Sequence, residues 1–532
     1  MGPPLHRRAK RALWQGACWR CTRFGFYYRQ QKRNELFRYP EPDGETTEKR
    51  IHYAATFAVL ATAALAFSLL QSLIIPAIPL LEHTLHTSTT GATWLLTGYL
   101  LSAAIATPIL GRLGDMVGKE KMIVVVLVAL SAGTLISALS TTFSVMLAGR
   151  IVQGAGGAVF PLAFGIIRDE FPPEKVAGAI GVLSAILGVG VGAGIVLAGP
   201  IVEHLSYHWL FWVPLVMSVG ATVTTFFFVP ESPVRSPGRV NWIGASIMSA
   251  WLVTGLLAVS YGPIWGWKSA SVLGLLAAVV VLIPCWIRSE TRSDTPMVDM
   301  KMMRIPAVWS TNLAALLFGF GMFAMFVAVP EFAETPARVG YGFGASVTQS
   351  GLYILPFAVA MLVIAPLTGR LTVAIGSKPI LIMGALFAAS CYGLLVVAHG
   401  APWNIYVAAG LLGIGVAFGF ASMANLIVEA VPATQTGVAT GMNTNVRNIG
   451  AALGSGVATS LIVSGMLVHG YPRQHGYVLA FAVCGGALVV AAIAATLIPT
   501  RSRPSVVLSE SHPALTAEAE VVVGAIGYVA ED

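Results

Sequence analysis

Charge is scarce in this chain: only 11% of its 532 residues are Asp, Glu, Lys or Arg. Soluble domains carry about 25%, so a fully solvated globular protein is excluded. Cysteine is scarce as well, with five residues and no disulfide framework. Cys285, Cys391 and Cys484 fall in apolar stretches and read as small apolar residues. Cys18 and Cys21 form a lone C-x-x-C without the second pair or nearby histidine that a zinc site needs. Neither G-x-x-x-x-G-K-[ST] nor G-x-S-x-G occurs, which leaves ATP hydrolysis and serine chemistry unsupported. His204 and His208, beside Glu203, have the spacing of zinc ligands on a helix, but Pro200 and a new apolar run near 207 argue against one continuous helix there. The chain is therefore read as no enzyme, with no metal and no cofactor. A secretory signal is not evident either, because the arginine-rich first 50 residues lack a short apolar core and a cleavage site.

What the chain has in abundance is long apolar runs. Hydrophobic residues make up 56% of it and the mean hydropathy is +0.76. The runs cover 53–81, 90–111, 122–140, 143–167, 176–200, 207–229, 242–261, 270–288, 306–330, 346–368, 379–398, 403–428, 437–466 and 476–498. Each is long enough to cross about 30 Å of hydrocarbon as a helix. A bilayer offers no water to unpaired backbone groups, so these runs must be helical. The expectation is an all-α polytopic membrane protein with about fourteen transmembrane helices. With the amino terminus in the cytoplasm, 27 of the 32 Lys and Arg residues fall on the inner side and only Lys268, Arg338 and Arg473 fall outside. The opposite orientation would invert this positive-inside pattern. The net charge of +8 thus describes topology and contact with anionic lipid, not nucleic acid. Both termini are expected in the cytoplasm of a cell-membrane protein.

An internal repeat organises the runs. After the second comes Gly111-Arg112-Leu113-Gly114-Asp115-Met116-Val117-Gly118-Lys119, and after the tenth comes Gly369-Arg370-Leu371-Thr372-Val373-Ala374-Ile375-Gly376-Ser377-Lys378, at an offset of 258 residues. The simplest division is a basic tail (1–52), a six-helix half (53–229), a linker with two extra helices (230–305), a second six-helix half in parallel arrangement (306–498) and a carboxyl tail (499–532). In the first repeat loop, glycines permit a tight turn, and Asp115 can accept hydrogen bonds from a helix amino terminus or pair with an arginine. In the fourth run, Arg150, Gln153, Gly154 and Gly157 share one helical face. An arginine at that depth is expected to face an interior cavity or a partner, or else to bond backbone carbonyls. The fifth run carries Gly188, Gly190, Gly192, Gly194 and Gly199, a thin surface for close helix approach, with Pro200 bending or ending it.

These elements, in this order, resemble the signature of the major facilitator superfamily, and the inserted hairpin makes the chain similar to its fourteen-span drug:proton antiporter branch. The resemblance implies two halves rocking about a central cavity. It implies that Gly111, Asp115, Gly118 and Lys119 gate the cytoplasmic side, that Arg150 tunes proton binding, and that Gly190, Gly194, Gly199 and Pro200 flex where the halves meet. Three departures stand out. The fifth-span Gly-Pro of exporters is Gly194-Ile195 here, the second repeat loop has Val373 in place of the aspartate, and the first span, from Leu69 through Gln71 to Pro79, carries no acid.

Every Asp, Glu and His falls in tails, loops or span ends, whereas Arg150 and Arg447 are embedded. Asn443, Arg447 and Gly454 share a face that is costly against lipid and so lines the cavity or the interface between halves. Two buried cations without a buried carboxylate favour an anionic substrate. The alternative is that the arginines reach Asp115, Asp169, Glu331 or Glu429. Proton coupling, if present, is expected to run through Glu331 or Glu203, given burial that raises their affinity for protons. The set Phe318, Phe320, Met322, Phe323, Met325 and Phe326 reads as an adaptable greasy pocket or as core and lipid-facing surface. The functional expectation is a monomeric secondary transporter moving a small, anionic or amphipathic molecule by alternating access. Proton-coupled export of drugs or metabolites is the first reading, and uniport or exchange of an anionic metabolite the alternative; a membrane enzyme or channel is the reading from another class.

Overall fold

The structure is a computed structural model that describes residues 46–74, 77–87, 89–229, 239–463 and 471–499. The carboxyl tail, most of the amino-terminal tail with Cys18 and Cys21, and the Glu203 side chain lie outside the described residues. The chain divides into a unit over 1–54 and a second over 55–532, which carries everything discussed below.

The apolar runs are helices. Among the described residues thirteen are long and apolar enough to span a membrane by themselves, and a pair, Thr348–Ile364 and Pro366–Ile375, bent by 50°, makes a fourteenth span when taken together. Proline at 366 removes a backbone donor and clashes with the preceding turn, which accounts for the bend. In chain order the spans are Thr46–Ser72, Thr89–Val117, Lys119–Leu139, Phe143–Glu170, Pro173–His204, Trp209–Phe228, Trp242–Trp265, Ala270–Arg292, Pro306–Glu334, Val347–Ile375, Ser377–Val397, Pro402–Ala430, Thr436–Val463 and Gln474–Thr496.

Several boundaries differ from the expectation, each for a local reason. The unbroken helix expected over 53–81 stops at Ser72, and a separate short helix occupies Ile78–Thr84; prolines at 76 and 79 cannot continue the ladder. The repeat loops are not loops for most of their length. Gly111 through Val117 remain helical, and the reversal is made at Gly118 alone, with φ at 127°; Gly376 does the same after Ile375, with φ at 88°. Only glycine takes such angles without strain. The fourth span is interrupted by a tight turn over Gly154–Ala158. Three glycines weaken the helix there, and the ring of Pro161 would clash with the carbonyl of Gly157 in a regular α-helix. Finally, Pro200 does not end the fifth helix, which runs on to His204.

The inserted hairpin has two unlike members. The seventh span packs on the second and thirteenth, so it touches both halves, while the eighth contacts little besides the seventh. Trp267 Nε1 donates to Ser460 Oγ of the thirteenth span at 2.9 Å, and the Tyr261 ring lies tilted against Trp94 of the second, centroids 5.9 Å apart. The linker after the hairpin is held by a buried carboxylate. Glu290 Oε2 accepts from the backbone N–H of Met297 at 2.7 Å and of Val298 at 3.2 Å. That places Met297, Val298 and Met302 in an apolar cluster with Val438, Ala439 and Met442. Replacing Glu290 with alanine strands two amides at a cost of about 1–3 kcal/mol each. A lower thermal unfolding temperature is expected for Glu290→Ala and a smaller drop for Glu290→Gln, which keeps one acceptor. Equal unfolding temperatures for both variants and the parent would show that the linker does not depend on this carboxylate.

Candidate functional site

Two features meet between the halves: a latch at the face bearing the Gly118 and Gly376 turns, called the basic face below, and a small central cavity. The latch centres on Asp115, which is fully buried. Its Oδ1 accepts from the backbone N–H of Gly437 at 3.2 Å and its Oδ2 from that of Val438 at 3.1 Å. Gly437 and Val438 open the thirteenth helix, so these N–H groups have no partner within it. The carboxylate also meets the positive end of the helix dipole. Gly111 and Gly437 allow the approach, since a Cβ on either would lie within 2.8 Å of the other's carbonyl oxygen. Arg168 grips the same helix start, through Nη1 to Thr436 Oγ1 at 2.6 Å and Nη2 to the Val431 carbonyl at 2.8 Å. Lys119 is buried against Asp169, with Asp115 Oδ1 at 3.9 Å. Deeper in, Asn445 Nδ2 donates to the Ala104 carbonyl at 2.7 Å.

The second repeat makes the counterpart crossing without an acid. A Cβ on Gly369 of the tenth span would stand 2.7 Å from Gly178 Cα of the fifth, and Asn425 Nδ2 donates to the Ala177 carbonyl at 3.3 Å. The glycines of the fifth span then sort onto two faces. Gly190 and Gly194 meet Ser68 and Ser72 of the first span, where Ser72 Oγ also donates to the Gly190 carbonyl at 3.2 Å. Gly188, Gly192 and Gly199 meet Met361, Ala358 and Thr348 of the tenth. The fifth and tenth spans thus stay in contact from the basic face to the opposite one.

The central cavity consists of two adjoining spaces of about 30 and 10 Å³. Both are far smaller than the space a drug-sized molecule needs, so the halves are closed around them. Gln71, Tyr99, Met322, Phe323 and Asn448 line the larger space, Ser184, Thr440 and Asn443 the smaller, and Phe160, Leu187, Phe420, Thr444 and Arg447 line both. The Arg447 guanidinium carbon lies 4.5 Å from the centroid of the Phe420 ring. Asn443 Nδ2 donates to Asn312 Oδ1 at 2.8 Å.

Other expected residues lie elsewhere. Arg150 and Gln153 do not line the cavity. Arg150 is buried one layer back, Nε donating to the Leu95 carbonyl at 3.1 Å, Nη1 to Gln153 Oε1 at 2.8 Å, with its guanidinium carbon 4.4 Å over the Tyr99 ring. Gln153 Nε2 reaches Thr134 and Ser137 of the third span, both at 3.3 Å. Neither embedded arginine has a described carboxylate within salt-bridge distance. Glu331 lies two turns beyond Phe323 on the ninth span, about 12 Å along the helix, and outside the cavity lining. Of the greasy set only Met322 and Phe323 line the cavity; Phe318, Met325 and Phe326 are core. Tyr99, Phe160, Phe420, Ser184, Asn312 and Arg168 were not singled out from sequence. Asn312 and Ser184 carried a usable signal, a polar residue inside an apolar run; the aromatic residues carried none.

Among the described residues, thirteen long apolar helices and one bent pair, crossing at glycines around a closed cavity, have the build of a polytopic membrane transporter. The chain belongs to the Major Facilitator Superfamily, whose sequence profile matches residues 60–244, 240–455 and 312–526. It is 26% identical over 416 residues to the tetracenomycin C resistance and export protein of Streptomyces glaucescens, covering 77% of this chain and 76% of that one. It is also 26% identical over 391 residues to the multidrug resistance protein Stp of Mycobacterium tuberculosis (strain CDC 1551 / Oshkosh), covering 73% and 72% respectively. Both relatives are named for drug resistance, and the first for export as well. Among solved structures, the human organic anion transporter MFSD10 (TETRAN) shares the fold, with a TM-score of 0.59, 16% identity, and coverage of 86% of this chain and all of that one.

Proposed function

We propose that the protein is a secondary active exporter of small amphipathic molecules, working as a monomer with its basic face in the cytoplasm. The Asp115 contact to the start of the thirteenth helix carries this reading. It joins the two halves through two hydrogen bonds at one face and leaves a cavity between them, which is the construction alternating access requires. The related proteins named for export and multidrug resistance support the outward direction. A proton gradient is the proposed energy source.

One observation favours a second reading. Among the described residues no Asp, Glu or His lines the cavity, so a carrier that exchanges or uniports an anionic metabolite without proton coupling is the alternative. Inside-out vesicles with an acidified interior and a pH-sensitive dye separate the two. Under proton-coupled export, adding a transported compound partly discharges the acid interior, and Asp115→Asn vesicles fail to respond. No discharge by any compound, together with downhill uptake or counterflow of labelled solute, supports the second reading. No solute movement of any kind overturns both.

A further inference from the structure

Resting on the reading of the central cavity as the substrate site, the chemistry of its walls says what it takes. Arg447 presents a permanent positive charge to both spaces, with an aromatic ring on one side and no described carboxylate to neutralise it. A guanidinium in a water-poor interior is costly, and a ring face offsets only part of that cost. The remaining walls combine aromatic and apolar residues, Phe67, Phe160, Phe323 and Phe420 with Leu187, Val191 and Met322, with the neutral polar residues Gln71, Thr440, Asn443, Thr444 and Asn448. Phe67 stands edge-on to Phe160, with centroids 6.1 Å apart, so the rings form one surface and not scattered contacts. Two residues that line these spaces carry buried hydroxyls without a hydrogen-bond partner: Tyr99 at 1% exposure and Ser184 at 3%. A buried hydroxyl without a partner is a donor in want of an acceptor.

We propose that the transported molecule is an amphipathic aromatic anion: a flat ring system bearing a carboxylate or acidic phenolate. The acid group lies on the Arg447 guanidinium, where charge-assisted hydrogen bonds are strongest. The ring system packs against Phe67, Phe160 and Phe420. Oxygen acceptors on the ring or its substituents take the Tyr99 and Ser184 hydroxyls. A cation of the same shape meets the repulsion of Arg447 with no acid to offset it. Because the closed cavity is too small for such a molecule, the ligand binds when the halves have parted and they close around it in a widened form.

The test uses the full-length protein in lipid nanodiscs and three probes with one ring system: 2-naphthoate, 2-naphthamide and 2-naphthylmethylammonium. Calorimetric titration is expected to show 2-naphthoate binding about tenfold or more tighter than either of the others. Arg447→Gln brings 2-naphthoate down to the affinity of 2-naphthamide and leaves 2-naphthamide unchanged, whereas Arg447→Lys retains the preference for the anion and shows that the site still folds. Equal or tighter binding of 2-naphthylmethylammonium to the parent, or a preference for 2-naphthoate that survives Arg447→Gln, overturns the proposal. Displacement of 2-naphthoate by an equal concentration of chloride also overturns it, because the site is then one for inorganic anions. Transport is scored separately in proteoliposomes. Movement of the cation or the amide without selectivity for the anion overturns the substrate class and leaves the exporter standing. Anion-selective binding without movement under any gradient does the reverse.

Discussion

Replacing Asp115 with alanine is expected to open the basic face, shifting the population toward that form by about 1–3 kcal/mol, or roughly 5–150-fold. The substitution removes the acceptor from two backbone N–H groups at the start of the thirteenth helix and takes a negative charge from the positive end of that helix. Both losses fall only on the closed form, because water satisfies the same N–H groups once the halves part. Asp115→Asn keeps one acceptor oxygen and lies between. Spin labels at Val117 and Ile375, both exposed at the ends of the second and tenth spans, report the separation of the halves there. A longer, broader distance distribution in Asp115→Ala supports the latch. An unchanged distribution means that Arg168 and the glycine crossings hold the face shut without it.

A comparably large effect, on folding this time, is expected at Gly454. A Cβ there would stand 2.0 Å from the carbonyl oxygen of Phe320, and one at Gly450 would stand 1.9 Å from that of Leu316. From the other side, a Cβ on Gly319 would lie 2.1 Å from the Arg447 carbonyl oxygen. The obstacles are backbone atoms of two long helices, which cannot rotate away as a side chain can. Over-packing of this kind costs typically 1–3 kcal/mol or more, and without a hydrophobic drive between helices in lipid, close backbone packing is a large part of what holds them together. Gly454→Val is therefore expected to lose most of the monodisperse protein in size-exclusion chromatography, and Gly454→Ala to lower its unfolding temperature. Gly393→Ala, where a new Cβ meets nothing within 4 Å, serves as the control. Equal behaviour of the variants at 454 and 393 would show that the ninth and thirteenth spans can slide apart at little cost.

Much of the architecture was legible from residue pattern because lipid allows so few solutions. A long apolar run has to be a helix, and a basic loop is strongly biased to one side. The repeat of Gly111–Lys119 at Gly369–Lys378 pointed to two halves for the same reason that it makes two equivalent crossings, second span on thirteenth and tenth on fifth. The prospect that Asp115 accepts hydrogen bonds from a helix amino terminus also followed from chemistry alone, since a carboxylate in that position has few partners on offer. Where each helix stops was less legible. Gly111 and Gly114 read as turn residues in isolation, yet they are helical here because bare backbone is what the adjoining elements require: the Gly437 carbonyl beside Gly111 and the Leu162 side chain beside Gly114.

The cavity was the hardest part to read. Helical periodicity put Arg150 and Gln153 on one face, but not which neighbour that face would meet. They meet the second and third spans, not the cavity. The aromatic lining comes from the first, second, fourth, ninth and twelfth spans, one or two residues from each, amid many apolar residues that look the same in sequence. By itself the sequence determined the number of spans, the inserted hairpin, the twofold repeat and the presence of two embedded arginines, because insertion into lipid is a local property of each run. Only the tertiary structure decided that Arg447 faces the cavity while Arg150 packs behind it on Leu95, Gln153 and Tyr99, and that Asp115 reaches a helix more than three hundred residues away, because which faces of packed helices meet depends on glycine contacts between elements distant in the chain.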